Sequence, residues 1–137
     1  MHQVLVIDDD ADVRDAIRLL LELAGYGVRT SADAAEAVNQ LSREPVHVVI
    51  TDLIMPKVNG VEAIRTILKD FPDVRIIAMS GGGNFGIESY RPNAITTTAF
   101  LAAAERAGAH YVLSKPFEMA ELVRAVEQVL VRGQALH

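Results

Sequence analysis

Val4-Leu5-Val6-Ile7 runs straight into Asp8-Asp9-Asp10. An apolar run this short, broken at once by carboxylates, can be neither a membrane span nor the core of a signal peptide. It reads as a short strand, and a helical pattern follows it. Val13, Ile17, Leu20, Leu21 and Ala24 recur at intervals of three and four over residues 11–24, with Gly25 placed to end the helix.

The same rhythm continues outward along the chain. Val28 to Thr30 reads as a strand, and Asp33 and Glu36 have capping-box spacing at the head of a helix running to about Leu41. Val46 to Ile50 is a third strand, and residues 60–70 a helix with Val61, Ile64, Ile67 and Leu68 on one side and Pro72 beyond its end. A buried strand over 74–79 precedes a glycine-rich stretch without a period, read as a long loop over 81–97. A helix at about 97–107, a strand over 111–113 and a helix over 118–131 complete the pattern. Strands alternating with helices predict an α/β fold with a parallel sheet covered on both faces, because each parallel crossover needs a helix to return the chain.

Length and composition agree with one globular domain over residues 1–137, since 50% of the residues are hydrophobic and 23% charged. The net charge of −5, with no run of Lys or Arg, argues against direct binding to nucleic acid. The absence of cysteine excludes disulfides and thiolate metal sites. A cytoplasmic protein without membrane attachment is the expectation, and so is a stand-alone unit, since no output domain follows Val131.

In parallel α/β sheets ligands bind beyond the carboxyl ends of the strands. The predicted strands end in Asp8-Asp9-Asp10, in Asp52, in Ser80 and in Ser114-Lys115-Pro116. Carboxylates, a hydroxyl and an amine on one rim suit phosphoryl chemistry: oxygen ligands for a cation, one carboxylate as nucleophile, and donors for phosphoryl oxygens. Two carboxylates about 4 Å apart repel by roughly 4 kcal/mol at an effective dielectric near 20, so such a cluster calls for a cation. An all-oxygen set favours Mg²⁺ over Zn²⁺.

Val6-Ile7-Asp8-Asp9-Asp10, Asp52-Leu53-Ile54-Met55-Pro56 with Gly60, Met79-Ser80-Gly81 and Ser114-Lys115-Pro116-Phe117 stand in an order that resembles the response-regulator receiver family over essentially the whole chain. The resemblance implies the flavodoxin-like (βα)5 sandwich with strand order 2-1-3-4-5. It implies phosphorylation of Asp52 by a histidine kinase or phosphotransfer protein, and an unidentified protein target downstream. It further implies Mg²⁺ held by Asp9, Asp52 and the main-chain carbonyl of Ile54, with Asp8 acting largely through water. Asp10 would cap a helix, Ser80 would bond the phosphoryl group, Lys115 would pair with Asp52 or a phosphoryl oxygen, and the Lys115–Pro116 peptide would be cis.

The sequence departs from that pattern in three places. The segment between Ser80 and Lys115 is longer than is usual in the family, the position three before Lys115 is Val112 rather than an aromatic residue, and Ile54 brings no polar side chain. Val112 has few rotamers, so the long loop is the expected route for reading out phosphorylation. Tyr111 and Phe117 read as packing residues. His2, His47, His110 and His137 lack ligand spacing, and Gly81-Gly82-Gly83 lacks the lysine of a phosphate-binding loop. Two alternatives stay open: a degenerate receiver that only binds a partner, and a haloacid-dehalogenase-like phosphatase. The latter calls for an Asp where Ile54 stands.

Overall fold

Val4, Leu5, Val6 and Ile7 are all fully buried, as a strand covered on both faces requires. The computed structural model describes residues 2–55, 58–80, 94–115 and 117–135. Along the chain follow β1 (Gln3–Ile7), α1 (Ala11–Leu23), β2 (Gly27–Ser31), α2 (Ala34–Arg43), β3 (Val48–Asp52), β4 (Ile54–Met55), β5 (Val58–Asn59), α3 (Gly60–Asp70), β6 (Arg75–Ser80), α4 (Ala94–Ala107), β7 (Tyr111–Ser114) and α5 (Met119–Ala135). The main sheet has the order β2-β1-β3-β6-β7, with every pairing parallel. Counting only its own strands along the chain, this is the expected 2-1-3-4-5.

Alternation along the strands builds two cores, one on each face. Leu5, Ile7, Val49 and Ile76 pack with Leu41 of α2, Ile64 and Ile67 of α3, and Ala104 of α4. Val4, Val6, Val48, Ile50 and Ile77 pack on the other side with Ile17 and Leu21 of α1 and with Leu122, Val126 and Val129 of α5. Each fully buried aliphatic side chain contributes about 1.5–3 kcal/mol, which makes this double-sided burial the main force holding the rim in place.

Local signals end the helices where the rim needs them. Asp10 caps α1, its carboxylate accepting from the N–H groups of Asp12 at 2.9 Å and Val13 at 3.3 Å. Gly25 just past α1 has φ +102°, a conformation that glycine adopts without strain. Asp33 caps α2 by accepting from Glu36 N–H at 2.8 Å, but the other half of the capping box is replaced. The Asp33 N–H donates to the Ser31 hydroxyl at 3.3 Å, and that hydroxyl lies 3.0 Å from the Glu36 carboxylate. At the head of α3, Gly60 donates to the Leu53 carbonyl at 3.2 Å. A Cβ there would lie 2.6 Å from that same carbonyl oxygen, so a side chain would push α3 off the strand end that carries Asp52.

Several features differ from the expectations, among them the end of α5, which runs on to Ala135 instead of stopping at 131. The third strand is Val48–Asp52, two residues further on, because its pairing with β6 continues to Asp52 opposite Met79. The hairpin of β4 and β5 is new, since two-residue strands are too short to show a period. α4 begins at Ala94, so residues 94–97 are helical, while 81–93 of the expected loop lie outside the described residues.

Candidate functional site

Parallel strands all present their carboxyl ends to one side, and this delivers the candidate residues to a single rim. Ile7 stands opposite Thr51, Asp52 opposite Met79, and Ser80 opposite Ser114. Asp8, Asp52, Ser80 and Lys115 therefore sit at or just past the ends of four adjacent strands. Lys115 N–H donates to the Ser80 carbonyl at 2.8 Å, which ties its backbone to the end of β6.

From there the lysine side chain reaches across the rim. Its Nζ donates to Asp52 Oδ2 at 3.1 Å and forms a longer ion pair with Asp8 Oδ2 at 3.6 Å, beyond hydrogen-bond reach. Asp8, Asp9 and Asp52 each offer a carboxylate oxygen within 4.8 Å of the others. Their burial is unequal. Asp8 is 1% exposed and Asp52 6%, whereas Asp9 is exposed at the mouth.

This crowding shows in the proton affinities. Burial, with the neighbouring carboxylates of Asp52 and Asp9 adding to it, raises the Asp8 carboxyl above its ordinary value against the opposing pull of the Asp10 N–H and Lys115. Burial works to lower Lys115, but the carboxylates of Asp52 and Asp8 outweigh it and raise the ammonium above its ordinary range. One lysine thus stays charged among three acids.

The donor set fits a hard divalent cation. Asp8 Oδ2 and Ser80 Oγ are buried and accept or donate no hydrogen bond among the described residues. A buried carboxylate oxygen in that condition is costly unless a cation or a donor reaches it. The acidic trio is the one group of potential metal ligands found among the described residues, and it contains no histidine. Oxygen alone matches Mg²⁺ better than Zn²⁺.

Other expectations fall into place unevenly. The backbone of Ile54 opens β4, two residues past Asp52, while Pro116 and the residues 81–93 lie outside the described residues. Tyr111 and Phe117 pack on the α1/α5 core and Val112 on the opposite core, so neighbouring residues of β7 face opposite ways. His47 and His110 each accept a backbone N–H at 3.0 Å far from the acids, and His137 is outside the described residues. One participant was missed: Arg14, whose Nη1 donates to the Asp8 carbonyl at 2.7 Å. A lone arginine in a helical pattern carries no local signal of such a bond.

Comparison with known proteins points to one family. The chain is 32% identical over 131 residues to the response regulator receiver protein CpdR of Brucella abortus (strain 2308), covering 96% of this chain and 98% of that protein. It is 37% identical over 127 residues to the DNA-binding transcriptional regulator NtrC of Azospirillum brasilense, but there it spans only 24% of the longer protein. A solved response regulator receiver domain protein from Clostridium thermocellum superposes with a TM-score of 0.83 at 28% identity over 100% of both chains. The family described as response regulator receiver domain matches residues 4–127, the stretch that holds every strand end of the acidic rim, and the chain belongs to that family of two-component signalling modules.

Proposed function

We propose that residues 1–137 form one receiver unit that accepts a phosphoryl group on Asp52 from a histidine kinase or phosphotransfer protein in the cytoplasm, with Mg²⁺ required. The observation that carries this reading is the Asp52 carboxylate at the end of β3, bonded to Lys115 Nζ at 3.1 Å inside a trio of acids. An Asp52 oxygen attacks the phosphorus of the donor. The phosphorus–nitrogen bond of the phosphohistidine breaks, its electron pair returns to the imidazole, and an acyl phosphate remains on Asp52. Hydrolysis reverses the state: a water oxygen attacks phosphorus and the Asp52 carboxylate leaves.

The chain's own residues divide this work. Lys115 offers its charge to Asp52 before transfer and to a phosphoryl oxygen afterwards, and the Ser80 hydroxyl, without a hydrogen bond among the described residues, is a donor for another. Asp8, Asp9, Asp52 and the Ile54 carbonyl would hold the metal, with Asp8 acting largely through water. Bound there, Mg²⁺ supplies neutralisation of charge on the transferring oxygens, which the carboxylates would otherwise repel. The rim turns over its own acyl phosphate rather than a stream of small phosphomonoesters, and a downstream protein reads the modified surface.

Acetyl phosphate tests the reading directly. The wild type should label stoichiometrically with Mg²⁺ and fail to label in chelator, and Asp52→Asn should abolish the label. Full labelling of Asp52→Asn at another aspartate would refute the assignment.

A further inference from the structure

We propose that Arg14 is a positioning residue that fixes Asp8 so that one of its carboxylate oxygens is presented to the metal, an inference that rests on the reading of the rim as a Mg²⁺ site. Asp8 has four polar groups, and three of them are tied down. Its N–H donates to the Ser31 carbonyl at 3.2 Å, its carbonyl accepts from Arg14 Nη1 at 2.7 Å, and its Oδ1 accepts from the Asp10 N–H at 2.9 Å. The fourth, Oδ2, is buried with no hydrogen bond among the described residues and only the longer ion pair with Lys115 Nζ at 3.6 Å.

Two of those three anchors are backbone groups, the Ser31 carbonyl, which any residue could supply, and the Asp10 N–H, which any residue but proline could. The third depends on a side chain. Arg14 is half-buried in the first turn of α1, and its bond at 2.7 Å is a short charge-assisted one, closing the helix back onto the end of β1. Without it the Asp8 carbonyl loses its side-chain donor, the peptide gains freedom to rotate, and the carboxylate on the same residue swings with it. Outer partners of this kind commonly set the orientation of metal-binding groups.

A through-space role for the guanidinium predicts the opposite sign. Removing a positive charge beside a cation site strengthens cation binding, whereas removing an orienting bond weakens it. Calorimetric titration of Mg²⁺ into the metal-free protein separates the two without any phosphoryl donor. Arg14→Ala should bind Mg²⁺ about tenfold more weakly. Arg14→Lys, which keeps one donor, should recover part of the loss, and the melting temperature of the metal-free Arg14→Ala protein should stay close to that of the wild type. Unchanged or tighter Mg²⁺ binding by Arg14→Ala overturns the proposal. Should that variant fail to fold, Arg14→Met retains the stem and removes both donor and charge: weaker binding supports positioning, and equal or tighter binding overturns it. A wild type that binds no Mg²⁺ would be a different result, the failure of the site reading itself.

Discussion

The two rims of the sheet carry polar residues in opposite conditions. At the amino ends of the strands the two histidines pair with neighbours: His47 Nδ1 accepts from the Gln3 N–H, His110 Nδ1 accepts from the Ile76 N–H, and the backbone bonds His47 to Gln3, Arg75 to His47 and His110 to Ile76 continue across the strands. At the carboxyl ends, Asp8 Oδ2 and Ser80 Oγ are buried without such bonds among the described residues, and the carboxylates of Asp8 and Asp52 share one lysine while Asp9 lies beside them. The same fold therefore stabilises itself at one end and keeps unsatisfied chemistry at the other. Buried polar groups short of hydrogen-bond partners suit a site that binds a ligand.

That contrast can be sharpened by adding Mg²⁺. On the proposed reading Mg²⁺ would bind the folded state through the carboxyl rim, so at a free concentration a hundredfold above its Kd it should stabilise the protein by about 2.7 kcal/mol, seen as a rise in melting temperature. Asp9→Ala should remove most of the rise. A full Mg²⁺ shift in Asp9→Ala would place the metal elsewhere and erase the difference between the rims.

A smaller effect should follow from relieving the strain without metal. The Asp8 carboxyl is raised by its burial and by the neighbouring carboxylates, so the fold holds it better protonated, and its ionisation at neutral pH costs stability. Asp8→Asn keeps the acceptor for the Asp10 N–H and deletes the charge. In chelator at neutral pH it should be more stable than the wild type by about 1 kcal/mol in denaturant unfolding, while losing Mg²⁺ response. A destabilised Asp8→Asn would show that the ion pair with Lys115 outweighs the repulsion.

The amino rim should give the smallest signal. Burial and the adjacent His2 ring, packed edge-to-face at 4.9 Å, lower the His47 pKa from the ordinary value near 6.5. A lowered histidine contributes stability that is present above its unfolded pKa and lost as pH falls through the native one, and protonation of Nδ1 would also forfeit the bond from Gln3 N–H. The ring is largely exposed, so the contribution is well under about 1 kcal/mol after solvent screening. Wild type and His47→Gln should converge in stability as pH is lowered through this range. A difference that grows on acidification would reverse the assigned sign.

The sequence by itself determined the strand–helix alternation, the two-sided burial and the strand-end identity of Asp8, Asp52, Ser80 and Lys115. These are properties of period and order: Val4 to Ile7 can be buried on both faces only inside a covered sheet, and Asp10 and Asp33 announce helix starts within three residues. It could not show the hairpin at Ile54–Met55, whose strands hold two residues each, nor that the capping box at Asp33 is completed by Ser31. Only the tertiary structure decided which acid is hidden, Asp8 at 1% exposure while Asp9 next to it is exposed. It also decided between the two partners expected for Lys115, which reaches Asp52 across 63 residues of chain, and it decided that Arg14 holds the Asp8 carbonyl. Desolvation and Coulomb attraction depend on distances in space, and those distances are set by strand register and helix packing between segments that the sequence keeps far apart.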